Sequence, residues 1–587
     1  MCGIFGYVSK KEQTPNLILD GLKVLEYRGY DSWGIAVKKG KKLVVDKHVG
    51  KIGQATTSLP NSMLGIGHTR WATHGGVTQK NAHPHTDCTK QLAIVHNGIV
   101  ENFQELKTKL IKRGHIFLSE TDTEVIVHLI EDELKTKGFA TSVRDAFNQL
   151  QGMNAIVVAY AVSKEIVAAK TGSPLVIGIN DDTYFVASDA AGIIKHTKNV
   201  IFLEDNQMAI LGERVQLLQL PEGKEIKPKI VKLSWKFEDA QKGTYPHFLL
   251  KEIHEQPKVV MNIALNYNTP VNQLAKLIQN AFGTFIVGCG TASYAGFAGV
   301  YLFSTIAKKH VNFSIGSEFS YLEDYLTSKT LIIPISQSGE AIDVVDPMTK
   351  AKEKGATVAA LVNVLGSTLY RQADHKILLG AGQEKAVVAT KSFMAMIATL
   401  LLTAYTLAKK QNRAKELLID ASKNITHLLQ DPSINQIKTL AEELKKKEHI
   451  YLLGRGLSYA TALEASLKIK ETAYVHAEGF AGGELKHGVI ALIEKGTPCI
   501  VFAPNDETYD EIISNAQEVK ARGGMIIGVG PRNNLVFDRF FETADIQEAT
   551  ILPQIVFAQL FAYYLALARG ITDPDKPRNL AKSVTVK

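Results

Sequence analysis

Cysteine is scarce in this chain of 587 residues: there are four, Cys2, Cys88, Cys289 and Cys499, with no CxxC pair and no dense spacing. That excludes a secreted disulfide scaffold and fits a reducing, cytoplasmic setting. The N-terminus lacks a basic segment followed by a long apolar core, so no signal peptide is expected. No apolar run spans a bilayer comfortably. Met394 to Ala408 is too short, and Ile551 to Ala568 is interrupted by Pro553, Gln554 and Gln559, so both are expected to be buried helices. Segments with the low hydrophobicity of disorder are missing too, since 45% of residues are hydrophobic and 21% charged. The net charge of +8 is small for this length. Basic clusters at Lys38 to Lys42 and Lys445 to Lys447 are short and free of interleaved aromatics, which makes them solvated faces rather than a nucleic-acid surface.

What is present is more than one hydrophobic core can serve, so several domains are expected. Residues 1 to about 235 carry short β-rich runs, such as Leu92 to Val95 and Ala155 to Val162, beside helical periodicity at Leu17 to Leu25 and Thr123 to Glu133. Around Lys224 to Lys242 the sequence turns basic, polar and poorly periodic, which sets a boundary near 235 with a linker over 236–265. Beyond it, short apolar strands alternate with helix-like segments, the pattern of parallel βαβ layers. This half repeats itself. Phe285-Ile-Val-Gly-Cys-Gly-Thr-Ala-Ser-Tyr-Ala reads like Ile450-Tyr-Leu-Leu-Gly-Arg-Gly-Leu-Ser-Tyr-Ala, which divides it into 266–425 and 426–577, followed by a tail over 578–587.

The loop Ser336-Gln-Ser-Gly339, after an apolar strand, offers hydroxyls, an amide and backbone N–H groups to an anion such as a phosphate monoester; the plainer alternative is an N-cap with a turn glycine. Gly288-Cys-Gly290 and Gly454-Arg-Gly456 lack the third glycine of a dinucleotide site, and no P-loop motif occurs. Cys2 becomes the first residue once Met1 is removed, and then joins a thiol to an α-amino base in one residue. Alone it reads as a chance cysteine in the opening strand. Its company changes that: Tyr27-Arg-Gly-Tyr-Asp-Ser, Gly67-His-Thr-Arg-Trp-Ala-Thr-His-Gly, Val95-His-Asn-Gly and Ser119-Glu-Thr-Asp-Thr-Glu.

These segments, in this order from Cys2 to about Asp122, resemble the glutaminase domain of N-terminal-nucleophile amidotransferases. The resemblance implies that Arg70 holds the glutamine α-carboxylate, Asp122 its α-ammonium, and Asn97 with the Gly98 N–H an oxyanion. It places Thr73 and His74 in a mobile glutamine-site loop and Trp71 at an ammonia-channel gate. The five histidines His68, His74, His83, His85 and His96 invite a metal, but His83 and His85 have no carboxylate or cysteine at a recognised ligand spacing, and the resemblance implies neither metal nor cofactor.

The tandem repeats resemble sugar-isomerase (SIS) domains that bind phosphorylated sugars. With the tail Lys576-Pro-Arg-Asn-Leu-Ala-Lys-Ser-Val-Thr-Val-Lys and the segment Gly483-Glu-Leu-Lys-His-Gly, the chain over essentially its whole length resembles the glutamine:fructose-6-phosphate amidotransferase (isomerizing) family. The fold so implied is multidomain α/β: a glutaminase of stacked sheets with helices, then two doubly wound domains. The resemblance puts Ser336, Gln337, Ser338, Thr291 and Val387 around the sugar phosphate, with Ala581 giving a backbone contact. It makes His487 the ring-opening residue, Glu471 the acid/base between C1 and C2, and Lys468 and Lys582 lysines of the reaction. It further implies a homodimer, with L-glutamine and D-fructose 6-phosphate as substrates. Two departures stand out: Ala292 where the family usually has Ser, with Ser293 one place late, and Ala341 where it usually has Thr. Thr291 or Ser293 is expected to supply a missing donor. The departures leave another phosphorylated ketose open as substrate, and a third alternative makes the C-terminal half a sugar-phosphate sensor regulating the glutaminase.

Overall fold

The computed structural model describes residues 2–233 and 241–584. The expected boundary at 235, the start of the linker at 236 and the last residues of the tail lie outside the described residues. The chain forms two compact units: Met1–Gln241 with Ala581–Lys587, and Lys242–Leu580.

In the first unit, an eight-stranded and a seven-stranded antiparallel sheet lie face to face. Strict alternation along the strands makes this possible, because successive side chains leave a strand on opposite faces. In the opening strand Gly3–Gln13, Ile4 and Val8 enter the core between the sheets, while Phe5 and Tyr7 pack outward against the helix Asn16–Leu25. In strand Leu92–Gly98, Ala93 and Val95 face the inter-sheet core, and Leu92 and Ile94 face helices that include Glu124–Glu133. The helices expected at Leu17 to Leu25 and Thr123 to Glu133 and the strand expected at Leu92 to Val95 are these elements, and the run Ala155 to Val162 forms the strand Asn154–Tyr160, two residues shorter at its end.

The second unit holds two five-stranded parallel sheets among its described residues. Their strands lie in the same order. In the first sheet, strand Gly283–Gly288 sits between Asn312–Ile315 and Thr330–Ser336; in the second, His449–Gly454 sits between His476–Ala481 and Pro498–Phe502. Strand order therefore reverses at the first strand of each repeat, and the crevice at the carboxyl ends of strands at such a point is where open α/β sheets bind ligands. The repeat extends to backbone detail. Gly290 and Gly456 precede equivalent helices with φ of +55° and +52°, a conformation that L side chains adopt at a cost.

One shared core joins the two sheets of this unit through long apolar helices. Lys391–Leu407 and Ile551–Ala568 are two of them, as the length and interruptions of those runs predict. The stretch Gln547–Ala568 is long and apolar enough to cross a membrane by length and composition, but it lies buried among these helices. Its interrupting glutamines are paired. Ser458 donates to Gln554 Oε1 at 3.0 Å, and Gln256 donates to Gln559.

Much of the stretch read as a linker is instead structural, since Phe248–Asn266 is a 19-residue helix with Ile253, Val260 and Ile263 fully buried. The basic, polar run before it hides this amphipathic pattern. The helix is capped from far away in sequence: Phe248 N and Leu249 N donate to the Asp575 carboxylate at 2.8 and 2.7 Å. An anionic cap on orphan N–H groups suits the positive end of a helix. Asp575→Ala should destabilise the protein by about 1–2 kcal/mol. A thermal melt read by circular dichroism would check this, with a lowered midpoint expected and Asp575→Asn intermediate.

Candidate functional site

Strand register builds the first site. Gly3 pairs with Thr69 across the antiparallel ladder, so Cys2, one residue earlier, falls beside Arg70 and Trp71 at the end of strand Ser62–Arg70. Trp71 N donates to Cys2 Sγ at 3.1 Å, and the thiol faces the Trp71 carbonyl at 3.6 Å. Asn97, at the end of a strand in the other sheet, donates from Nδ2 to the Cys2 carbonyl at 2.9 Å. Its Oδ1 lies 3.1 Å from His68 Nε2, which fixes the amide's orientation.

A cavity of about 110 Å³ opens here, and its lining includes Cys2, Arg70, Trp71, Asn97, Gly98 and Asp122. Thr73 and His74 line it too. The structure thus brings together every glutamine-site residue that the sequence singles out. It also adds Thr121 and Thr123, which the sequence reading quoted within the Ser119 to Glu124 motif without giving them a role, and Ser173, which lies in none of the quoted motifs. Gly98 cannot carry a side chain: its φ is +138°, and a Cβ would meet the Met153 carbonyl at 2.2 Å. Arg70 is buried and clamps the 74–76 loop, donating to the carbonyls of His74 at 2.5 Å, Gly75 at 3.0 Å and Gly76 at 3.1 Å. Asp122 Oδ2 accepts from Val100 N at 2.8 Å.

The Tyr27 to Ser32 motif braces this arrangement from below. Arg28 donates to the Cys2 carbonyl at 3.4 Å, and Asp31 accepts from Ala72 N at 2.9 Å. Four of the five clustered histidines, His68, His83, His85 and His96, are buried. His68 stacks on His83 at 4.2 Å, and burial pushes His68 down to about 3 and His83, His85 and His96 below their ordinary value, so all four are neutral.

A second cluster lies in the other unit, on the helix Leu457–Ala473. Lys468 is 1% exposed and donates to Thr291 Oγ1 at 2.9 Å, to Glu471 Oε2 at 2.6 Å and to the Ala389 carbonyl at 3.3 Å. Glu464, fully buried one turn earlier, stands 3.3 Å from the same ammonium and accepts from Thr291. Burial pushes Glu464 up to about 8 against the pull of Lys468, whereas the two carboxylates outweigh burial and hold Lys468 above its ordinary value. Near neutral pH the cluster is therefore a Lys468–Glu471 ion pair beside a protonated Glu464. Sequence reasoning passed over Glu464, although the spacing Glu464, Lys468, Glu471 marks one helix face.

The Ser336 loop is folded on itself: Gly339 N donates to Ser336 Oγ at 2.9 Å and Glu340 N to Ser338 Oγ at 3.1 Å. Gln337 sits in the same loop, which ends strand Thr330–Ser336 and precedes the helix Ile342–Glu353. Val387 is fixed by its N–H, which donates to the Asp575 carbonyl at 2.8 Å. Two expectations change. Ser293 does not supply a donor for a phosphate, because its hydroxyl gives its proton to the Gly290 carbonyl at 2.7 Å. Ala581, expected at the sugar site, lines the Cys2 cavity with Ser583 and Val584, and Lys582 lies between them in the tail that belongs to the first unit. His487 ends the short helical turn Gly482–His487 in an exposed position, and no hydrogen bond described for the Lys468 cluster reaches it.

A thiol in a cavity on stacked antiparallel sheets, followed by two doubly wound repeats, is the arrangement of a glutamine amidotransferase domain joined to SIS domains. The Glutamine amidotransferase domain family matches residues 68–195, and the SIS domain family matches 277–406 and 443–568. Curated relatives from Thermococcus kodakarensis and Pyrococcus horikoshii are each 42% identical over the whole of both chains, and one from Clostridium tetani is 40% identical over the same extent. All three are named glutamine--fructose-6-phosphate aminotransferase [isomerizing], and the chain belongs to that family. Among solved structures, the C-terminal domain of glucosamine-fructose-6-phosphate aminotransferase from Francisella tularensis is 32% identical, with a TM-score of 0.52 over 56% of this chain and 98% of that one. A solved structure from Clostridium novyi NT, titled a "putative tagatose-6-phosphate ketose/aldose isomerase", shares the fold of 58% of the chain at 19% identity and a TM-score of 0.51.

The buried carboxyl sets a pH dependence. Glu464 rises from 4.5 to about 8 on folding, so the folded protein holds a proton that the unfolded chain releases, and this contribution to stability falls as pH rises through that window. Glu464→Gln should flatten the decline of the thermal midpoint between about pH 5 and pH 8; calorimetry across that range would read it.

Proposed function

We propose that this protein converts L-glutamine and D-fructose 6-phosphate to L-glutamate and D-glucosamine 6-phosphate, the entry step of amino-sugar synthesis. The observation that carries this reading is the Cys2 cavity, with Arg70, Asn97, Gly98 and Asp122 on its wall, in a chain that also holds the Lys468–Glu471 pair at a sheet switch point.

With Met1 removed, the Cys2 α-amine takes the thiol proton and the thiolate attacks the glutamine amide carbon. Arg70 and Asp122 receive the α-carboxylate and α-ammonium, which requires Arg70 to exchange loop carbonyls for substrate. Asn97 Nδ2 and the Gly98 N–H stabilise the oxyanion. Ammonia departs with the proton held by the amine, and water then hydrolyses the thioester to glutamate. Thr73 and His74 close over the cavity, and Trp71 gates the exit of ammonia.

In the second unit the Ser336 to Ser338 loop, Thr291 and the Val387 backbone hold the sugar phosphate, and His487 opens the ring. Ammonia condenses with the C2 carbonyl with loss of water, and Glu471 then moves a proton from C1 to C2. Lys468, in contact with Glu471 Oε2 at 2.6 Å, holds that carboxyl in place for the task. We also propose a homodimeric, cytoplasmic enzyme. The alternative of a different phosphorylated ketose draws on Ala292, Ala341 and the Ser293 hydroxyl committed to Gly290.

Incubation with both substrates should yield amino-sugar phosphate, and glutamine hydrolysis without it would reject the sugar assignment. Cys2→Ala should lower glutamine use by at least about 10³-fold while sugar-phosphate isomerisation persists. Glu471→Gln should lower product formation by about 10²–10⁴-fold with glutamine hydrolysis retained; coupled assays of each half-reaction separate the two.

A further inference from the structure

Away from both sites, three segments of the first unit converge on one point. Cys88 lies in the turn before strand Leu92–Gly98, His115 follows the helix Phe103–Lys112, and His128 and Glu131 sit three residues apart on the helix Glu124–Glu133. One donor atom from each, the Cys88 Sγ, both Nδ1 atoms and a Glu131 oxygen, lies within 4.8 Å of all the others. Cys88 Sγ is 3.9 and 3.8 Å from His115 Nδ1 and His128 Nδ1, and Glu131 Oε2 is 3.0 and 2.9 Å from the same nitrogens. A zinc tetrahedron with metal–nitrogen and metal–oxygen bonds near 2.0–2.1 Å and a metal–sulfur bond near 2.3 Å has N–N and N–O edges of about 3.3 Å and S–N edges of about 3.6 Å. The cluster thus has nearly these dimensions already.

The surroundings match a metal site as well. His115 Nε2 lies 2.8 Å from Asp132 Oδ1, and a carboxylate there accepts a hydrogen bond from Nε2–H, the tautomer that leaves the Nδ1 lone pair facing the centre. Asp132 is itself held by Arg113 at 3.0 Å and Lys135 at 2.7 Å. His128 Nε2 has no hydrogen-bond partner and stands 3.8 Å from the buried Glu124 carboxylate. His115 therefore has a hydrogen-bonded outer carboxylate, the arrangement that orients imidazole ligands, and the Glu124 carboxylate stands near the outer nitrogen of His128. His128 and His115 are 1% and 5% exposed, whereas Cys88 is exposed and gives an entry path.

We propose that Cys88, His115, His128 and Glu131 form a structural zinc site. Thiolate, two imidazoles and a carboxylate are the tetrahedral ligand set of zinc, and the thiolate and carboxylate balance its charge. All four positions are filled by protein, so the ion is structural. It ties the Cys88 turn and the His115 segment to the helix whose first residue, Glu124, accepts from Leu118 N at 2.8 Å and Ser119 N at 2.7 Å, just ahead of Asp122. This cluster shares no residue with the histidines of the Cys2 cavity.

The full-length protein, purified from zinc-supplemented medium and passed over a chelating resin, should retain about one zinc per chain by elemental analysis. Exchange with cobalt(II) should give a thiolate-to-cobalt charge-transfer band and tetrahedral d–d bands. Cys88→Ser should remove that band and weaken zinc binding at least about tenfold in competition with a chromophoric chelator. His128→Gln should weaken binding likewise, and Cys2→Ala should change neither metal content nor spectrum. Protein without zinc after supplementation, or a cobalt spectrum that Cys88→Ser leaves unaltered, would overturn the proposal.

Discussion

The pairing of Gly3 with Thr69 is the constraint on which the first site rests. Register in a half-buried sheet is all or nothing, because a slip of one residue would turn Ile4 and Val8 out of the inter-sheet core and Phe5 and Tyr7 into it. The same register that buries those four side chains sets Cys2 against the Trp71 backbone. The core and the place of Cys2 are therefore specified by one set of hydrogen bonds, and its thiol is positioned next to a rigid strand rather than by a long loop.

In the second unit the governing constraint is the burial of charge. Taking Lys468 out of water is costly, and it is sustained by a carboxylate partner at 2.6 Å, a threonine hydroxyl and a backbone carbonyl. A third ionised group cannot be accommodated there, and Glu464 answers by keeping its proton. Other buried charges in this unit follow the same rule. Glu384 accepts from Thr390 N at 2.9 Å and from the Ser392 hydroxyl at 2.8 Å, and Lys391 pairs with Glu255 at 2.6 Å. These bonds fix the stretch between Glu384 and Ser392, where Val387 presents its backbone.

The family assignment was legible because motif spacing survives in sequence: Tyr27 to Ser32, the Arg70 segment, Asn97-Gly98 and Asp122 all fall on the wall or brace of one cavity. The two-fold repeat was legible for a related reason, since Gly290 and Gly456 occupy a backbone conformation that few other residues share. Less legible were residues whose meaning depends on distant partners. Glu464 looks like any helical glutamate until Lys468 and Thr291 surround it. Ser293 looks like a displaced phosphate donor until the Gly290 carbonyl claims its proton. The helix Phe248–Asn266 read as linker because its cap, Asp575, lies more than three hundred residues away.

What the sequence determined by itself was local and periodic: alternation that makes strands, 3.6-residue spacing that makes helices, the repeat, and the order of motifs that names a chemistry. Tertiary structure alone decided which side chains share a point in space. Cys88, His115 and His128 are separated by 27 and 13 residues with no recognisable ligand spacing, yet the fold brings a sulfur and two ring nitrogens within 4.8 Å. The placing of Ala581 on the wall of the Cys2 cavity was decided in the same way. Periodicity records the face on which a residue lies, whereas proximity across a core depends on every intervening strand pairing and helix packing, and no local window of sequence contains that sum.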